Sequence, residues 1–147
     1  MKISDLVDVG RGLVGTVTAD CQILMACSMM SARHVGALAV VEDDGVIAGI
    51  VSERDIINGL HDTGLEIFHR PVSELMTGDV IACGPDTDVR DAANLMIQHR
   101  IRHLPVLDEN RFPLTIVSIR DIVATRLAQL EADNEILRAQ LQEIAGG

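Results

Sequence analysis

The sequence predicts an α+β protein made of two pseudo-symmetric β-α-β-β-α units followed by a C-terminal coiled-coil helix. The first observation is an internal repeat. Laying Val14 to Ile57 over Val80 to Val123 needs no gap and matches about 12 of 44 positions, with Asp20/Asp86, Met30/Met96, Leu38/Leu104 and Val40/Val106 among them. A constant offset with apolar positions in phase marks two copies of one supersecondary unit. The second observation is that helical and extended apolar patterns alternate in the same order in both copies. The third is a tail whose apolar residues recur in steps of three and four.

In the first copy Gly15 to Thr18 reads as a short strand and Asp20 to Arg33 as a helix, with Ile23, Ala26, Cys27 and Met30 on one face. Val89, Ala92, Ala93 and Met96 repeat that stripe in the second copy. Ala37 to Val41 and Val46 to Val51 follow as Val- and Ile-rich strands joined through Glu42-Asp43-Asp44-Gly45, where Asp-Gly signals a hairpin. Their counterparts are His103 to Leu107 and Phe112 to Val117, with Pro113 suited to an edge position. A helix then opens at Ser52 and at Ser118. Residues 61–70 read as a linker, and Pro71 to Met76 leads into the second unit as Ile3 to Val7 leads into the first. The expected organisation is repeat 1 over residues 1–62, repeat 2 over 71–126 and a dimerisation helix over 127–147.

Composition narrows the functional classes. The chain has 147 residues, 48% of them hydrophobic, yet no Trp or Tyr and only two Phe, so its core must be aliphatic. A formal net charge of −10 argues against nucleic acid and against an anionic membrane surface, both of which need clustered Lys and Arg. It leaves room for one small basic pocket. No apolar run approaches a membrane span and no secretory pattern opens the chain, so a cytoplasmic location is expected. Cys21, Cys27 and Cys83 form no C-x-x-C pair and read as packing residues. His34 and His99 read as helix C-terminal residues favourable to the dipole.

Ser52-x-x-Asp55 and Ser118-x-x-Asp121 each fit a capping box, in which Ser and the acid three residues on satisfy each other's backbone N–H. The same carboxylate at a strand-to-helix turn could accept both hydroxyls of a ribose, with turn N–H groups and the Ser hydroxyl near phosphate oxygens. Gly49-Ile50-Val51-Ser52-Glu53-Arg54-Asp55, Thr115-Ile116-Val117-Ser118-Ile119-Arg120-Asp121 and Arg100-Ile101-Arg102-His103-Leu104-Pro105-Val106 resemble the cystathionine beta-synthase (CBS) domain. Residues 1–126 resemble its tandem pair, the Bateman module, and more closely the small stand-alone bacterial proteins made of one such pair and a short C-terminal helix. The resemblance implies ribose and phosphate contacts from Ser52, Asp55, Ser118, Arg120 and Asp121. It implies phosphate contacts from Arg102 and His103, whose first-unit equivalents, Gly36 and Ala37, carry no charge. The regulatory ligand it implies is an adenine nucleotide: AMP foremost, with ATP, NAD(H) or S-adenosylmethionine as others. Thr115 in place of Gly49, Pro113 on a strand and Arg120 depart from the family pattern and bear on the second site's ligand.

The tail places Leu127, Leu130, Asn134, Leu137, Leu141 and Ile144 at heptad a and d positions, with Val123 extending the series backwards. Asn134 at an a position favours a parallel two-stranded pairing, and Asp133 at g faces Arg138 at e of a second chain. Dimerisation through Leu127, Leu130, Asn134, Leu137 and Leu141 is therefore expected, alongside association through the unit helices. The chain contains no Gly-x-Ser-x-Gly, His-Glu-x-x-His or Walker-type loop, so a non-enzyme without catalytic cofactor or metal is expected. The leading expectation is a dimeric adenine-nucleotide sensor acting on an unidentified regulated protein. The alternative is a constitutive dimeric protein-interaction module without ligand binding, and a weaker third is a metal or redox sensor using the histidines and cysteines.

Overall fold

A computed structural model describes residues 1–8 and 14–146; residues 9–13, inside the first expected repeat, and Gly147, at the end of the tail, lie outside it. The chain runs α1 (Ile3–Leu6), β1 (Thr16–Thr18), α2 (Ile23–Arg33), β2 (Ala37–Val41), β3 (Ile47–Ser52) and α3 (Glu53–Thr63). Two 3-10 turns, Leu65–His69 and Val72–Glu74, lead to α4 (Val89–His99), β4 (His103–Leu107), β5 (Pro113–Ser118) and α5 (Ile119–Gly146). In the first unit β1 pairs parallel with β2, and β2 pairs antiparallel with β3. In the second, β4 and β5 form the same antiparallel hairpin, and both hairpins carry an irregularity at the same place, Val40/Val41 and Val106/Leu107. Pro113 sits at the second of these on β5, which pairs with β4 alone, so its missing N–H interrupts no ladder.

The second unit departs from the expected order at its first strand. There a single parallel bridge, Cys83 to Val106, replaces β1. The Cys83 N–H donates to the Pro105 carbonyl at 3.0 Å and the Leu107 N–H donates to the Cys83 carbonyl at 2.8 Å. Pro105 supplies the reason: its first-unit equivalent, Ala39, donates its N–H to the Gly15 carbonyl at 3.3 Å, a bond proline cannot make. Ala82-Cys83-Gly84 also lacks the β-branched residues of Thr16-Val17-Thr18.

Each unit has its own aliphatic core. Ile23, Ala26, Met30, Leu38, Val40 and Val51 pack together in the first; Val89, Ala92, Met96, Leu104, Val106 and Val117 do so in the second. A third cluster of Ala39, Ile47 and Leu107, flanked by Val14, Val80, Ala82 and Ile116, joins the two sheets. The Ile47 N–H donates across the same junction to the Arg111 carbonyl at 3.0 Å.

The lead-in segments are exchanged between the units. Ile3 is fully buried in the second core, with its N–H donating to the Thr87 carbonyl and Ser4 N–H to that of Pro85. Val72 is fully buried in the first core, its N–H donating to the Cys21 carbonyl at 2.7 Å. The segment expected to open the second unit therefore closes the first. Residues 61–70 are not a free linker either: α3 continues to Thr63, and Ile67 and Phe68 pack on the first core. Burying each of Ile3 and Val72 contributes about 1.5–3 kcal/mol, so the exchange ties the halves together strongly.

Candidate functional site

Both strand-to-helix junctions form the expected capping arrangement. At the first, the Ser52 N–H and Oγ donate to Asp55 Oδ2 at 2.8 and 3.0 Å, and the Asp55 N–H donates to Ser52 Oγ at 3.3 Å. At the second, the Ser118 N–H donates to Asp121 Oδ2 at 2.9 Å and the Asp121 N–H to Ser118 Oγ at 3.2 Å. Extended strand backbone turning directly into helix creates this geometry, and the acid at the third helical position reaches back to the cap. In both, Oδ1 accepts no hydrogen bond from the described residues.

The surroundings of the two junctions differ. An open cleft of about 1280 Å³ lies where the units meet, and Ser118, Arg120, Asp121, Arg102, His103 and Thr115 all line it. Ser52 and Asp55 do not line it, although their neighbour Glu53 does. The opposite wall is the C-terminal end of α2 with Arg33 and His34, followed by Val35, Gly36 and Ala37; Val14, Ile56, Ile116 and Ile119 add apolar surface. The cleft thus gathers three arginines and two histidines against two carboxylates, in a chain of net charge −10. None of Arg33, Arg102 and Arg120 forms an ion pair among the described residues.

Arg33 and His34 are cleft residues that the pattern of the sequence did not single out as ligands. His34 caps α2 in the left-handed conformation (φ 55°), as Arg100 caps α4 (φ 54°). His99 ends α4 away from the cleft lining. Leu127, Leu130, Asn134, Leu137 and Leu141 lie far along α5, all exposed and outside the cleft.

His103 sits at the seam of the two units. A Cβ added to Gly36 would lie 3.0 Å from His103 Nε2 and 3.4 Å from Glu53 Cδ, so the glycine makes room for a second-unit imidazole beside a first-unit carboxylate. Burial lowers the His103 pKa below its ordinary 6.5, Arg102 acts in the same direction, and Glu53 and Asp121 oppose it. Gly49 is fixed by a different approach. A Cβ there would lie 2.8 Å from both Met76 Sδ and the Thr77 carbonyl oxygen, the segment that pairs with Ile50. Its equivalent Thr115 instead lines the cleft.

The thiols give little support to metal or redox chemistry. Burial raises the pKa of all three, that of Cys83 to about 11, so they remain protonated near neutral pH. Among the described residues no group of three or more His, Cys, Asp or Glu is placed to hold a metal ion. No helix among them is long and apolar enough to cross a membrane.

Two repeated units, β-α-β-β-α in the first and the same with a single bridge for its first strand in the second, exchange their lead-ins, each carry a capped strand-to-helix turn and meet at a basic cleft; together they define a tandem-repeat module of the kind the sequence resembled. The sequence model of the CBS domain matches residues 3–62 and again 72–127, and the chain belongs to that family. It is 32% identical to the CBS domain-containing protein YhcV of Bacillus subtilis over 142 residues, covering 97% of this chain and 99% of that one. The crystal structure of a CBS-domain-containing protein from Agrobacterium tumefaciens is similar with a TM-score of 0.78 and 35% identity, over 86% of this chain and 99% of that one. The CBS domain pair of protein MJ0100, solved in complex with 5′-methylthioadenosine and S-adenosyl-L-methionine, shares the fold. Its TM-score is 0.78 at 23% identity, over 88% and 98% of the two chains.

Proposed function

We propose that this protein is a non-catalytic regulatory module that binds an adenine nucleotide in the cleft at Asp121 and acts as a homodimer. The observation that carries the reading is the convergence of Asp121, Arg102, His103 and Arg120 on one cleft, joined from the facing unit by Arg33 and His34. Asp121 Oδ1 would accept ribose hydroxyls while Oδ2 keeps the cap. The arginines and His103 would hold phosphate oxygens, and Ile116, Val14 and Ile56 would supply apolar surface for the base. Family relatives support the ligand class: the MJ0100 pair was solved with two adenosine-containing ligands, and CBSX2 was solved with AMP. AMP is the first candidate here; ATP, NAD(H) and S-adenosylmethionine are the others. Ser52 and Asp55, outside this cleft, would serve a second site only with a separate lining.

A ligand bound between the two units signals only if it binds one relative arrangement better than another. Because α5 begins inside the cleft and continues into the tail, cleft occupancy and tail position would be linked through one helix. The test is thermal unfolding of ligand-stripped protein with AMP, ADP, ATP, NAD, NADH and S-adenosylmethionine in turn. Selective stabilisation by one of them supports the sensor. No shift with any favours the second reading, a constitutive dimeric interaction module, for which the observation is the exposed apolar row along α5.

A further inference from the structure

We propose that α5 pairs with α5 of a second copy of this chain as a parallel, in-register coiled coil over residues 123–144. α5 is one helix of 28 residues, about 42 Å long at 1.5 Å per residue. Its first turns are anchored by Ile122 in the second core, so the helix nucleus that an isolated peptide must form at a cost is already built. Beyond it, Leu127, Leu130, Leu137, Leu141 and Ile144 are all at least half exposed, a row that the protomer itself leaves uncovered.

Orientation follows from the polar residues of the same stretch. In a parallel pair, position g faces position e of the next heptad of the partner helix. Arg126 then meets Glu131 of the other copy, and Asp133 meets Arg138 of the other copy, opposite charges in both layers. Asn134, exposed in the protomer, falls in the row of leucines. Parallel and in register, each Asn134 amide faces its twin and the pair can satisfy one another. An antiparallel pair centred on the same layers sets each Asn134 against Leu137, leaving a buried amide without a partner. The charges and the amide therefore select the same orientation, with both clefts held at the same end of the dimer.

The experiment places a cysteine at the central layer. In a chain whose Cys21, Cys27 and Cys83 are replaced by alanine, Asn134→Cys is added and the protein is oxidised mildly. Near-complete conversion to a covalent dimer is expected. Adding Leu137→Lys should cut the yield at least tenfold, whereas Ile136→Lys should leave it unchanged, although Leu137 and Ile136 are equally exposed at 56% and 57%. Thermal melts check that each variant keeps its fold: Asn134, Ile136 and Leu137 lie on the exposed part of α5, whereas the three replaced cysteines pack against the two cores. Failure of Asn134→Cys to cross-link overturns the proposal, as does a yield indifferent to Leu137→Lys. So does cross-linking found only when the Asn134→Cys chain is mixed with a Leu137→Cys chain, which would mark an antiparallel seam. None of these outcomes depends on a nucleotide binding.

Discussion

Asp55 and Asp121 occupy equivalent caps but unequal surroundings, and their alanine variants should separate structure from ligand binding. Each acid accepts the N–H of its cap serine, at 2.8 and 2.9 Å, and donates its own N–H back to the serine hydroxyl. Removing either carboxylate therefore costs about 1 kcal/mol, the usual worth of a cap. For a chain of this length that lowers Tm by about 2–4 °C in both variants. A ligand present at a hundred times its Kd adds about 2.7 kcal/mol, or roughly 5–11 °C. That increment should vanish in Asp121→Ala and persist in Asp55→Ala, because only Asp121 lines the cleft. Differential scanning fluorimetry with and without the stabilising nucleotide reads both quantities in one plate. A full ligand shift in Asp121→Ala, or its loss in Asp55→Ala alone, would refute the assignment of the cleft. Without ligand the loss in Asp55→Ala should be equal to or slightly larger than that in Asp121→Ala, since Asp55 also accepts the Ser52 hydroxyl at 3.0 Å; no loss in either would refute the capping role.

Four further outcomes are expected. Gly49→Ala drives a methyl against the Thr77 carbonyl and Met76, breaking the two hydrogen bonds between Ile50 and Thr77. It should cost about 2 kcal/mol in calorimetric unfolding, while Thr115→Ala at the equivalent position costs less than half of that. Ile3→Ala should destabilise by about 2–5 kcal/mol and speed amide exchange in α4 and β4 more than in β2, since Ile3 packs in the second core. His103 has a folded pKa below 6.5, so the unfolded state takes up its proton first, and stability is lost as pH falls below 6.5. His103→Gln should flatten that part of the pH–stability curve. A phosphate bound beside His103 should favour its charged form, so titration calorimetry in two buffers of different ionisation heat should detect proton uptake on nucleotide binding.

The elements were legible because their signals are local. Ile23, Ala26, Cys27 and Met30 repeat at helical spacing, Asp44-Gly45 turns the first hairpin with Gly45 at φ 88°, and the serines cap where the strands end. The loss of the second unit's first strand was written in Pro105, but its effect depends on a partner strand that local pattern does not identify. The exchange of lead-ins could not be read in the same way. Ile3-Ser4-Asp5-Leu6 and Val72-Ser73-Glu74-Leu75 share one pattern, so the pattern does not say which core each segment fills. At the cleft, Arg102, His103, Arg120 and Asp121 stood out by their motif. Arg33 and His34 did not, because a helix end needs no ligand to explain a basic residue, and only the packing of one unit on the other turns that end toward the cleft.

The exchanged lead-ins bear on how such a chain could have arisen. A single ancestral unit ending before Pro71 would carry a lead-in suited to a neighbour's core and a gap in its own. Two copies would each complete the other, so a pair of separate chains would already have had the present arrangement before any duplication joined them. Fusion would then have needed to add only a connection. A cut between residues 63 and 71 should accordingly leave two fragments that are each incomplete and that recombine into the intact module when mixed.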